Sequence, residues 1–139
     1  MKKSSKDKYL PEFVYGAIDG IVTTFAIVAG SFGASLSSGI ILILGFANLF
    51  ADGFSMAVSN YLSTKSQNEI NLQHKHKHQD KKNPKKTALA TFIAFIIIGF
   101  IPLLSFVLAL YFISINQHKF LYSTILSGLS FIFVGAIKA

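Results

Sequence analysis

The sequence predicts an all-α polytopic membrane protein with four transmembrane helices, and three observations predict it. Of the 139 residues, 52% are hydrophobic and only 14% are charged, with a mean hydropathy of +0.53. The apolar residues fall into four segments of membrane-crossing length, about 13–31, 40–62, 87–113 and 120–137. The net charge of +7 comes from 13 lysines and no arginine, most of them at 2–8 and 65–86, beside the apolar segments rather than among them. Lysine placed this way points to membrane topology rather than to nucleic acid. Such a chain is too apolar for an ordinary soluble domain and too short for several, so 1–139 form one transmembrane domain.

Residues 1–11 are a basic head holding Lys2, Lys3, Lys6 and Lys8. The head resembles a signal-peptide n-region, but the apolar run Phe13–Ser31 has no small-x-small cleavage site. That run is about 19 residues long, close to the roughly 20 needed to cross the hydrocarbon layer. Pro11 and Glu12 mark its start as a helix. The small, uncharged stretch Gly30–Gly39 is a tight turn, and Ile40–Leu62 is the second span. Residues 63–86 form a polar loop with seven lysines and three histidines, ending at Asn83-Pro84. Thr87–Ile113 is the third span, kinked at Gly99 and Pro102. After a short turn at 114–119, Phe120–Ile137 is the fourth.

Orientation follows from the lysines. The head and the 63–86 loop lie on one side after two spans and hold eleven of them, against Lys119 alone in the opposite loops. The positive-inside rule puts this loop and both termini in the cytoplasm.

Three polar side chains inside the second span share a face. Asp52, Met56 and Asn60 are spaced i, i+4, i+8, drifting by only about 40° per step on a helix. Hard oxygens and a soft sulfur in one line suit a divalent transition metal, and an ionisable residue at membrane depth reads as functional. Asp19 is the second carboxylate, about 10 Å into the first span. Counted from the cytoplasmic ends, Asp19 and Met56 fall at one depth, with Asp52 roughly 6 Å deeper. Gly16 and Gly20 form a small-xxx-small pair beside Asp19, which equally suits a plain packing seam. A carboxyl group buried without a partner favours its neutral form, and a divalent cation reverses that, so metal binding here is linked to proton release.

His74, His76 and His78, followed by Asp80, are a weaker ligand cluster, with Glu69 nearby. Interleaved lysines repel cations, so a solvated basic loop beside anionic lipid headgroups is the favoured reading. There is no cysteine, which excludes disulfides, Cys-based zinc sites and thiol chemistry. Without a nucleophile–base pair or a phosphate-binding loop, no enzyme is expected, and no tightly bound cofactor.

Tyr15-Gly-Ala-Ile-Asp-Gly-Ile-Val-Thr-Thr24 and Ala51-Asp-Gly-Phe-Ser-Met-Ala-Val-Ser-Asn-Tyr-Leu-Ser-Thr-Lys-Ser-Gln67 resemble the vacuolar iron transporter family. Gly99-Phe-Ile-Pro-Leu-Leu104 and Phe133-Val-Gly-Ala-Ile-Lys-Ala139 are similar as well. The resemblance implies a homodimeric helical bundle that moves Fe²⁺ or Mn²⁺ out of the cytosol in exchange for protons. It also implies a cell-membrane location in a bacterium and a vacuolar-type membrane in a eukaryote. By the same resemblance the first-helix transport aspartate falls on Asp19 and the methionine ligand on Met56. Three departures stand out. Ser59-Asn60-Tyr61 occupies a triplet that is commonly acidic at its centre, the Glu- and Met-rich cytosolic domain is missing, and the chain ends where a fifth helix would begin.

The expected function is therefore a metal transporter using Asp19, Asp52 and Met56, with Asn60 beside them. The alternatives are a non-transporting remnant acting as an assembly subunit, and a small basic membrane protein whose loop recruits lipid or a cytosolic partner.

Overall fold

The computed structural model describes residues 5–73 and 81–139, and these form helices with no strand among them. In chain order they are α1 (Ser5–Gly33), α2 (Ser38–Gln73), α3 (Pro84–Gly99), α4 (Ile101–Ala109), α5 (Ile113–Asn116) and α6 (Lys119–Lys138). Helices α1, α2 and α6 are each long and apolar enough to cross a membrane, and α3 with α4, bent by 41°, has the length and apolarity of a fourth only when the pair is counted as one. The outer surface is apolar, as contact with lipid requires: Ile43 and Ile132 are each 70% exposed.

Local chemistry explains the breaks. Between α1 and α2 the chain turns in four residues. Ser35 adopts a left-handed backbone (φ 58°), and Leu36 N–H closes onto the Ser31 carbonyl at 3.0 Å. Asn83 caps α3, its side-chain oxygen accepting from the N–H of Lys85 (2.9 Å) and of Lys86 (3.4 Å), with Pro84 in the first turn. The expected kink is present: the helix breaks at Phe100, where Pro102 lacks an N–H and crowds the preceding turn. Ser123 of α6 donates to the Pro102 carbonyl at 2.7 Å, fastening α6 against the bend.

One boundary departs from the sequence reading. The second span was expected to end at Leu62 with a loop over 63–86, yet α2 continues to Gln73. Loss of apolarity at Ser63 marks where the membrane ends, not where the helix ends, since no Gly or Pro interrupts 63–73. At 1.5 Å per residue, α2 is about 54 Å long against a hydrocarbon layer of about 30 Å, so its last turns project beyond the membrane. The third span likewise stops at Ala109 rather than Ile113, giving way to a turn and the short α5.

Helix α3 packs along both α1 and α2. With no hydrophobic force between helices in lipid, close backbone approach is what holds them, and the small residues supply it. A Cβ on Gly16 would stand 2.5 Å from the Thr91 carbonyl oxygen, and one on Gly20 would stand 2.7 Å from that of Phe95. The Gly16–Gly20 pair is thus a packing seam. On either side of it lie two buried clusters, one around Ile41, Leu49, Phe95, Leu103 and Phe106, the other around Ala17, Ile21, Ala94 and Val134.

Candidate functional site

The tight turn sets α1 and α2 antiparallel, and their register can be read from side chains. Thr23 Oγ1 donates to the Asp19 carbonyl at 2.8 Å, and Asn48 Nδ2 of α2 donates to Thr23 Oγ1 at 3.4 Å. Asp19 is one turn from Thr23 and Asp52 is one turn from Asn48, in the same direction, so the two carboxylates come level. Both are half-buried.

This level differs from the one expected, which matched Asp19 with Met56. Counting from the cytoplasmic ends assumed that α2 leaves at Ser63. The fixed point is the turn instead: Asp19 lies fourteen residues before Gly33, and Asp52 fourteen after Ser38. Met56 sits one turn further toward the lysine-rich end, half-buried and packed on the cluster that includes Phe95 and Leu49.

Asn60 is not brought to the carboxylates. Its amide donates to Thr91 Oγ1 of α3, which in turn donates to the Thr87 carbonyl at 3.0 Å. Thr64 and Thr87 share a further hydrogen bond of 3.0 Å, so α2 and α3 are joined by a short polar ladder. Glu69 is exposed on the last turns of α2, away from Asp19 and Asp52. His74, His76, His78 and Asp80 lie outside the described residues.

The register thus puts Asp19 and Asp52 at one level on neighbouring helices, with the Thr23 hydroxyl and Asn48 carboxamide one turn toward the connecting turn and the Met56 thioether one turn the other way. Hard oxygens of this kind suit divalent ions such as Mg²⁺ or Mn²⁺, and the thioether is the one soft donor. Among the described residues no three His, Asp or Glu side chains converge. Asn48 was missed in the sequence, although extending the i, i+4 line back from Asp52 by one turn reaches it. A salt bridge of 2.7 Å between Lys82 and Glu12, at the lysine-rich end, was missed as well. Nothing in the sequence links two residues that far apart.

The chain matches the model of the VIT family over residues 10–82 and 70–139. It is 38% identical over 76 residues to a vacuolar iron transporter of Plasmodium berghei, covering 54% of this chain and 28% of that protein. It is 42% identical over 67 residues to one of Toxoplasma gondii, 48% of this chain and 22% of that protein. Against vacuolar iron transporter homolog 4 of Arabidopsis thaliana it is 30% identical over 109 residues, 73% of this chain and 55% of that protein. The chain thus spans between about a quarter and about half the length of these relatives. No solved structure matches it.

Proposed function

Because the chain belongs to the VIT family, we propose that it carries Fe²⁺ or Mn²⁺ out of the cytoplasm in exchange for protons. The observation that carries this reading is the register of α1 on α2, which brings Asp19 and Asp52 level between two membrane helices. Two carboxylates facing each other in a low-dielectric layer need compensating positive charge. Protons or a divalent ion can supply it, and the arrival of one expels the other. Two carboxylates leave most coordination positions of such an ion open, since hard cations take about six to eight oxygens. Water and a second copy of the chain would complete the set, so the homodimer is the working unit. Met56, one turn nearer the lysine-rich end, would hand the ion to the pair.

The lysine-rich end is the cytoplasmic one in this reading. A cysteine placed at Ser37 is expected to react with an impermeant thiol reagent on intact cells, and one at Gln73 only after permeabilisation. The reverse pattern would overturn the orientation. Met56→Leu nearly conserves volume and costs under about 1.5 kcal/mol of packing. It is expected to weaken Fe²⁺ transport more than transport of the harder Mn²⁺, because only the sulfur is lost.

The deciding experiment is metal uptake with internal pH recorded in proteoliposomes holding the unaltered chain. Metal influx with proton counterflow supports the exchanger. If no metal moves, the reading as a non-transporting assembly subunit takes its place, a reading that the structural use of Asn60 favours.

A further inference from the structure

A polar cavity of about 310 Å³ opens where α2 leaves the membrane at the lysine-rich end. Its walls include Glu12 of α1, Asn60, Thr64, Asn68 and Asn71 of α2, and Lys82 from the strap that leads into α3. Glu12 is the one anionic side chain in this wall. Its Oε1 accepts from Lys82 Nζ at 2.7 Å, while its Oε2 is buried and, among the described residues, accepts no hydrogen bond. The cavity therefore holds a carboxylate with spare acceptor capacity, surrounded by neutral carboxamide and hydroxyl oxygens. It has room for a cation that keeps its water: six waters at about 30 Å³ each occupy roughly 180 Å³.

The strap is fixed by its backbone. Lys8 Nζ donates to the Lys81 carbonyl at 2.7 Å, Asn68 Nδ2 to the Lys82 carbonyl at 2.8 Å, and Asn83 N–H to the Tyr9 hydroxyl at 3.1 Å. The Lys82 side chain is held only through its ammonium, and it is about a third exposed, at 34%, against 15% for Glu12. A lysine ammonium is a strongly hydrated point charge on a flexible stem, so it can swing to water without disturbing the strap. At equal distance a divalent ion gains about twice the Coulomb attraction of the monovalent ammonium, and the water between a hydrated ion and the carboxylate takes back part of that gain.

We propose that this cavity is a binding site for a hydrated divalent cation, and that Lys82 is its built-in competitor, seated on Glu12 until the ion displaces it. The proposal rests on the metal-transport reading for its place in a pathway, but the site is separate from Asp19 and Asp52. Lys82 thereby sets a concentration threshold for loading. An ammonium that occupies the carboxylate about nine-tenths of the time lowers the apparent affinity of the site about tenfold.

The test is a Mn²⁺ titration of the full chain in lipid nanodiscs, with free Mn²⁺ read by electron paramagnetic resonance. It is run in the Asp19→Asn, Asp52→Asn background so that only the cavity is observed. Weak Mn²⁺ binding is expected, tightened about tenfold by Lys82→Met and lost with Glu12→Gln. Lys82→Arg, which keeps the charge and grips a carboxylate through two N–H groups, should weaken binding instead. No Mn²⁺ binding with Lys82→Met, binding that survives Glu12→Gln, or an affinity indifferent to both Lys82 variants would overturn the proposal. Failure of the transport reading shows elsewhere, as absent metal flux in proteoliposomes of the unaltered chain, and leaves this titration standing.

Discussion

Asp19→Asn is expected to abolish metal-driven proton movement while leaving the helical bundle folded. The substitution keeps size and hydrogen bonding and removes the charge and the titratable proton. With Asp52 level with it on α2, an ion held by the two carboxylates would lose one of its two anionic ligands. Removing one member of a desolvated charge constellation costs about 3–5 kcal/mol, more than a hundredfold in affinity. Asp52→Asn should do the same, because each carboxylate is useful only with the other. For that reason the double variant should be scarcely worse than either single one. Fe²⁺ or Mn²⁺ uptake and internal pH in proteoliposomes measure the effect, with helical content and elution volume as the folding control. Either variant transporting like the parent would show that the pair does not carry the ion.

Gly16→Ala is expected to produce the largest loss of stability from a single methyl group in this chain. The new Cβ would stand 2.5 Å from a backbone oxygen of α3, and backbone cannot rotate aside as a side chain can. Helices α1 and α3 would have to separate along the whole seam, at about 1–3 kcal/mol or more. Gly128→Ala on α6 is the matched control, since nothing lies within 4 Å of its added Cβ. There the gain in helix propensity of up to about 1 kcal/mol should show instead. Thermal unfolding in one detergent compares the two. Equal melting temperatures would mean that α1 and α3 are not in backbone contact.

The long apolar helices were legible because each depends on a sum over about twenty residues, which tolerates exceptions. The bend was legible too, since Pro102 acts through its own ring and needs no partner. Register was not. Hydropathy shows roughly where a helix leaves the membrane, but the level of one helix against its neighbour is fixed by the turn, and one misjudged end displaced Met56 and Asp52 by a turn. Asn60 looked like a ligand because it shares a face with Asp52. That same face meets two neighbours: at Asn48 and Asp52 it meets α1, and at Asn60 it meets Thr91 of α3. One-dimensional spacing cannot separate these. The Glu12–Lys82 bridge joins residues seventy positions apart, a pairing that only the packed bundle creates.

The four-residue turn between α1 and α2 also governs how the protein enters the bilayer during synthesis. An aspartate at the centre of a lone helix costs about 2.5–3.5 kcal/mol to insert, and each Leu, Ile, Phe or Val returns about 0.3–0.6. The 13–31 segment has eight such residues around Asp19, so on its own it sits near balance between water and lipid. The 40–62 segment has eleven around Asp52 and is the stronger partner. Since the turn is too short to leave α1 behind, the second segment draws the first in with it. Stable insertion of α1 is therefore expected only once α2 is available to pair with it, which insertion assays on 1–36 and on 1–73 would show as a poorly and a fully inserted product.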